Sequence, residues 1–346
     1  VGLTPFAGLN IAWPAIMVVG ALGLMIGSGG SAIVSRMLGQ RDLDKACETF
    51  TSLIAFTMLL SLGFGIPMFI LMPRIVVLLG ADGAELVRAA TTYGRVFAAG
   101  MPAFMLQMAF QSFYMAAEKP ELGTRLSLAC GLTNIVLDTL FIIVLKMGLF
   151  GAALASIMAS CVGEFFPVWY FLRKRGTRQL RLTRIRFNRG VLVHTCTNGS
   201  SEYIGNIAFS IVSMCYNHQL MLFYGQAGVA AYSVIMYIGY IFAAVFIGYN
   251  LTVSPVVAFN YGADNRQELH SLLFKSARIL LGLGLLLTLT EILPVLFRLG
   301  LHALLIEPLG VFLVGFWRIL DLFCRLAAAA LESSHHAFLL PVARNA

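Results

Sequence analysis

YIGNIAFSIVSMCYNHQLMLFYGQAGVAAYSVIMYIGYIFAAVFIGYNLTVSPVVAFNYGA, residues 203–263, contains no Asp, Glu, Lys or Arg, and it is entered through a lone acid, Glu202. Sixty-one uncharged residues cannot form a water-exposed surface. One membrane-spanning helix needs about 20 apolar residues, so the stretch predicts two spans. An acid at its entrance is costly to keep inside a bilayer and marks a candidate functional residue.

Working outward, the rest of the chain has the same character. Hydrophobic residues make up 59% and charged residues 12%, where soluble domains carry about 25% charged residues. Mean hydropathy is +0.85. The net charge of +8 could point to nucleic acid, but the positives lie in short loops between apolar runs, the distribution of cytoplasmic loops under the positive-inside rule. Nucleic acid is therefore excluded as a partner, and the lipid bilayer is the expected surroundings. Cys47, Cys130, Cys161, Cys196, Cys215 and Cys324 are scattered singly without a CxxC pair. They read as small apolar residues, not as a disulfide or metal framework.

Apolar runs fall at Ala7–Ser35, Thr49–Pro73, Val96–Ala117, Leu126–Leu145, Met147–Leu172, Val191–Phe223, Ala227–Ala258 and Ile279–Phe297, with a weaker ninth at Leu309–Leu331. All are expected to be helices, because lipid offers no partner to an open sheet edge. The segment Arg173–Arg189 holds eight Lys or Arg and no acid. With the loops alternating from it at Arg36–Lys45, Glu118–Arg125 and Asp264–Lys275, it defines the cytoplasmic side. Loops at Arg74–Arg95, Lys146–Gly148, Gly225–Gly228 and Arg298–Pro308 then lie outside. The first span runs inward, and the chain begins at Val1 without a Met; one preceding helix is expected.

Ser31-Ala-Ile-Val-Ser-Arg-Met-Leu-Gly39-Gln-Arg-Asp aligns with Ser254-Pro-Val-Val-Ala-Phe-Asn-Tyr-Gly262-Ala-Asp-Asn at an offset of 223. Both copies end an inward-running span. This predicts two halves of like orientation about an axis along the membrane normal, as in many transporters.

Two polar groups stand out within the spans. Asn134 and Asp138 are four apart and share a helix face, and Ser156 on the next run can reach the same place. Carboxylate, amide oxygen and hydroxyl are hard ligands suited to Na⁺ or to a titrating proton. An acid satisfied by an interhelical hydrogen bond is the alternative. Asn198, Glu202 and Asn206 form a second stripe, facing either a cavity that takes a cationic substrate or a polar helix seam. Glu164, Glu291, Asn217 and His218 lie near span ends, where snorkelling or boundary roles suffice. Prolines within the runs, among them Pro102 and Pro255, permit bends. Asn198-Gly-Ser200 and Asn250-Leu-Thr252 match glycosylation sequons but lie in apolar runs. No Walker motif, catalytic triad or zinc-binding spacing occurs, so an enzyme is not expected.

Four stretches together resemble the multidrug and toxic compound extrusion (MATE) family, on its MepA-like branch. They are Gly8-Leu-Asn-Ile-Ala-Trp-Pro14 continuing to Ser35–Asp42, Asn134-Ile-Val-Leu-Asp138 with Gly151–Ser156, Asn198-Gly-Ser-Ser-Glu202, and Gly228–Tyr232 through Gly248-Tyr-Asn250 to Ala263. The resemblance covers roughly residues 1–320. It implies an all-α polytopic bundle of twelve helices in two lobes, of which about nine are represented here. Residues 1–173 would be the first lobe (helices two to six), 174–190 a basic cytoplasmic inter-lobe loop, 191–332 a partial second lobe (helices seven to ten) and 333–346 an atypical tail.

The implied function is secondary active efflux, by alternating access, of organic cations or other amphipathic drugs in exchange for H⁺ or Na⁺. The protein would be a monomer in the plasma membrane, with no cofactor beyond the coupling ion. The family's cation site maps onto Asn134, Asp138 and Ser156, and the substrate cavity is expected at Glu202, Asn198 and Asn206. The alternatives are a lipid-linked oligosaccharide flippase of the same superfamily and an inactive membrane fragment.

Overall fold

A computed structural model describes residues 3–173 and 180–299. Its elements are α1 (Leu3–Gly39), α2 (Leu43–Leu78), α3 (Ala84–Ala99), α4 (Met101–Ala116), α5 (Pro120–Asp138), a π-helical turn (Thr139–Val144), α6 (Gly148–Leu172), α7 (Arg189–Gly262) and α8 (Arg266–Leu299). No strand occurs among the described residues. Six of the helices, or seven with α3 and α4 taken as one bent span, are long and apolar enough to cross a membrane. The chain divides into two units, residues 1–277 and 278–346. In the second, the remainder of α8 is described to Leu299, with Thr288 Oγ1 donating to the Gly284 carbonyl at 2.8 Å. The ninth run, Leu309–Leu331, and the tail 333–346 lie outside the described residues.

Helices in lipid gain nothing from hiding apolar surface and associate by close van der Waals contact, which favours small residues at crossings. The first unit is built that way. A Cβ at Gly27 would stand 2.8 Å from the Cα of Ala109, and one at Gly23 3.0 Å from the Cα of Met105, so α1 and α4 meet backbone to backbone. Beside them Phe50, fully buried, has ring centroids 4.9 Å from Phe113 and 5.0 Å from Phe171, joining α2, α4 and α6. Outward-facing Ile70, Leu132, Ile135 and Phe165 are exposed, as expected of a surface bathed in lipid.

Hydroxyls in α2 have a local explanation. Thr51 Oγ1 donates to the Cys47 carbonyl (2.8 Å) and Ser52 Oγ to that of Glu48 (2.8 Å). Each also accepts from the basic segment that follows α6: Thr183 N–H donates to Thr51 Oγ1 at 2.8 Å and Arg186 N–H to Ser52 Oγ at 2.9 Å. Residues 180–188 are thus a non-helical strap docked on α2, with Leu180 buried.

Two spans differ from the sequence expectation. The run Val96–Ala117 is not one straight helix preceded by a loop over Arg74–Arg95; α3 begins at Ala84, and α3 and α4 meet at a 62° bend. Gly100 sits at the bend, Pro102 in the first turn of α4 has no N–H to carry the ladder across, and Ile157 of α6 fills the space a Gly100 side chain would need (Cδ1 at 2.6 Å). The second difference is α7, which keeps helical conformation over 74 residues, with no extended loop at Gly225–Gly228. As a rod it would be about 110 Å long at 1.5 Å per residue. Instead Glu202 meets Asn250, Phe209 meets Tyr240 (centroids 5.1 Å apart), and Tyr216 stacks on Tyr232 (5.3 Å). These pairs converge, so α7 is an antiparallel hairpin that reverses between Tyr216 and Tyr232. Its arms cover the runs Val191–Phe223 and Ala227–Ala258, and among the described residues Ala243–Gly262 of the second arm is long and apolar enough to cross a membrane.

The sequence echo is repeated in the backbone. After α1, Arg41 N–H donates to the Leu38 carbonyl and Asp42 N–H to that of Met37; after α7, Asp264 N–H donates to Tyr261 and Asn265 N–H to Asn260. Both are Schellman-type endings, and their left-handed residues, Arg41 (φ 62°) and Asp264 (φ 52°), are themselves 223 apart. Asp42 Oδ1 then caps Lys45 N–H, and Asn265 Oδ1 caps Glu268 N–H. The two endings also touch. A Cβ at Gly39 would strike the Phe259 carbonyl oxygen, and one at Gly262 the Arg36 carbonyl oxygen; residues 36 and 259 are again 223 apart.

Candidate functional site

The first polar group sits where α5 meets α6. The helices run antiparallel: a Cβ on Gly163 would stand 2.7 Å from Cys130 Sγ, and Asn134 Nδ2 donates to Ser156 Oγ at 3.4 Å. The expected link between Asn134 and Ser156 is therefore present, and all three residues are half-buried. Asp138, one turn along the same face from Asn134, is the last residue of α5. Its Oδ1 is sealed from solvent with no hydrogen-bond partner among the described residues. An orphaned carboxylate oxygen costs several kcal/mol in a medium as poor as a membrane protein interior. The donors fit a hard cation or a proton. Asn134 Nδ2 donates to Ser156 Oγ, which leaves the amide oxygen Oδ1, an acceptor, to join Ser156 Oγ and the Asp138 carboxylate as an all-oxygen donor set for a cation.

The π-helical turn beginning at Thr139 has no counterpart in the hydropathy pattern. Leu145 N–H reaches back five residues to the Leu140 carbonyl (2.9 Å) and Met147 N–H six to that of Phe141 (2.8 Å). Such turns are rare and frequent at functional sites. The local signals for it are the β-branched run Ile142-Ile143-Val144 and the left-handed turn that follows at Lys146 (φ 52°) and Gly148 (φ 59°).

The second group lies on the α7 hairpin. Glu202 is half-buried, and its Oε1 accepts from Asn250 Nδ2 at 2.6 Å across 48 residues of chain. Asn206 shares the face of Glu202, but its Nδ2 donates to the Glu202 main-chain carbonyl at 2.8 Å and not to the carboxylate. Asn198 is exposed. Asn250, which the sequence presents only as part of a sequon, is the partner that spacing does not reveal; it is the one Asn or Gln in the run Ala227–Ala258.

Glu202 stands one turn beyond a tight crossing. A Cβ at Gly199 would strike the Met25 carbonyl oxygen, and one at Gly29 the Thr195 carbonyl oxygen. With the Gly39–Gly262 contact, α1 is pressed against both arms of α7 along its C-terminal half. The side chains of Asn217, His218 and Glu291 lie outside the described set. Glu164 is half-buried toward the C-terminal end of α6. No cluster of three His, Cys, Asp or Glu suited to a metal occurs among the described residues.

Comparison with known proteins gives a consistent picture. A family model described as MatE matches residues 1–140 and 203–300. The multidrug export protein MepA of Staphylococcus saprophyticus is 26% identical over 258 residues, covering 75% of this chain and 57% of its own length. MepA of Staphylococcus aureus (strain MSSA476) is 23% identical over 261 residues, with coverages of 75% and 57%. The chain thus spans little more than half the length of these curated relatives. Among solved structures, a MOP superfamily transporter from Pyrococcus furiosus superposes with TM-score 0.76 at 23% identity, over 84% of this chain and 65% of that one. An outward-facing multidrug resistance MATE family transporter gives 0.70 at 23% identity, over 83% and 64%. At that identity the structures speak for the fold alone.

Proposed function

Because the chain belongs to the MatE family, we propose that the protein exports organic cations or other amphipathic drugs by antiport with H⁺ or Na⁺. It is a multi-pass protein of the plasma membrane. In this reading Asp138, with Asn134 and Ser156, takes the coupling ion, and Glu202, with Asn198 and Asn206 on its helix, lines the substrate cavity. The observation that carries it is the buried, unpartnered Oδ1 of Asp138 beside the Asn134–Ser156 hydrogen bond. A purely structural acid would have its oxygens satisfied across the helix seam; this one keeps a place for a proton or cation.

Alternating access draws support from the α1–α7 contacts. They are concentrated on the cytoplasmic half of α1, just inside Glu202, as in a carrier closed to the cytoplasm. The named relatives export drugs, and the charges within the apolar runs at Asp138, Glu164 and Glu202 are acidic, which favours cationic cargo over a pyrophosphate-linked lipid. The test is ethidium efflux from cells expressing the full-length protein, beside Asp138→Asn. The substitution removes one charge without changing shape, so coupled efflux should fall to background while the protein still reaches the membrane. Efflux at the normal rate from Asp138→Asn would refute the assignment.

A further inference from the structure

Glu202, when ionised, has an acceptor-only side chain with three rotatable bonds, on a helix face it shares with Asn198 and Asn206. The amide predicted by spacing to accompany it, Asn206, donates to a main-chain carbonyl and not to the carboxylate. The group that does hold the carboxylate comes from the returning arm, where Asn250 Nδ2 lies 2.6 Å from Oε1. An amide N–H can donate to the carboxylate whether or not a second ligand is present.

The chemistry of that partner matters. A Lys or Arg in its place would hold Glu202 equally well but would cancel its charge. An amide fixes one oxygen and leaves the net negative charge, and the second oxygen, for another ligand. The placement matters too. Residues 202 and 250 sit far from the reversal of the hairpin and one turn beyond the Gly199–Met25 crossing, so the pair depends on both arms being in register.

We infer that Asn250 is a positioning residue for the organic-cation site: it orients Glu202 without neutralising it, aiming the carboxylate at a cationic substrate. The inference rests on the proposed role of Glu202. Ethidium binding to purified full-length protein, read by fluorescence, tests it with five variants: Glu202→Gln, Asn250→Leu, Asn250→Gln, Asn250→Lys, and the Glu202→Gln/Asn250→Leu pair.

A hydrogen bond to a charged group is worth about tenfold or more in binding. Asn250→Leu should therefore weaken ethidium binding about tenfold, Asn250→Lys at least as much, and Asn250→Gln, which keeps an amide, should retain most of the affinity. In the Glu202→Gln background Asn250→Leu should add nothing, because the charge it orients is gone. An equal loss from Asn250→Leu in both backgrounds would make the residue a packing element and overturn the inference. So would unchanged binding by Asn250→Leu when Glu202→Gln binds weakly. Unchanged binding by Glu202→Gln would overturn the cavity role itself and the inference with it. If Asn250→Leu does not fold, Asn250→Lys against Asn250→Gln decides: equal affinity in the two would refute the charge argument.

Discussion

Gly262 offers a sharp test of what holds the end of α1 against the end of α7. An alanine there would direct its methyl at the main chain of α1, striking the Arg36 carbonyl oxygen and standing 2.9 Å from the Arg36 carbonyl carbon and 3.0 Å from its Cα. Carbon atoms in contact prefer about 3.5–4.0 Å, so the helices must part by about 1 Å. No flexible side chain can absorb the strain, since the obstructing atoms are backbone. Overpacking of this kind costs about 1–3 kcal/mol, which weakens the closed contact about 5- to 150-fold. Spin labels at Gln40 and Asp264, both exposed and adjoining the contact, report the separation in lipid nanodiscs. Gly262→Ala should lengthen or broaden the distance distribution. Gly39→Ala should do the same, since its methyl meets the Phe259 carbonyl oxygen and the Ala263 nitrogen at 3.0 Å. Gly63→Ala, with nothing within 4 Å, should leave it unchanged. A distribution identical to wild type in both Gly262→Ala and Gly39→Ala would refute the idea that these glycines set the approach of α1 and α7.

Three further outcomes are expected. Thr51→Val leaves the Thr183 N–H without its acceptor, and an unpaired donor costs about 1–3 kcal/mol; hydrogen exchange of the strap at 180–188 should quicken, with the rest of α2 unaffected. Phe50→Ala empties the centre of the Phe110, Phe113 and Phe171 cluster. Its cavity should cost about 2 kcal/mol or more, seen as earlier denaturation in a detergent titration. Tyr261→Leu removes the ring under the Arg36 guanidinium, 5.1 Å from its centroid. An exposed cation–π contact is worth about 0.5–1 kcal/mol, so the Gln40–Asp264 distance should shift less than in Gly262→Ala.

What the sequence discloses and what it withholds divide along physical lines. Charge-free runs must be helices in lipid, so the spans can be read directly, and a four-residue spacing is enough by itself to put Asn134 and Asp138 on one face. Asn250 is different. Its link to Glu202 crosses 48 residues and depends on where the hairpin turns, which the uncharged run does not mark. The π-helical turn after Asp138 is hidden because six residues are too few to carry a period. Pro102 marks a place in the sequence where a helix can bend, but the contact that accompanies the bend, Ile157 of α6 against Gly100, is in no local pattern. The echo is faint in residue identity because what repeats is backbone geometry: Arg41 and Asp264 share a left-handed φ but no side-chain chemistry.

That repeated ending has a consequence for how α1 and α7 hold together. Gly39 rests on residue 259 while Gly262 rests on residue 36, so each side of the contact is at once surface and counter-surface. This is the isologous pattern of a two-fold homodimer, here drawn from a single polypeptide. A self-complementary joint of this kind has no hinge side: sliding one glycine off its carbonyl slides the other off as well. The two contacts must therefore be lost together, so that α1 and α7 would come apart here in an all-or-none event instead of by a gradual fraying from one edge.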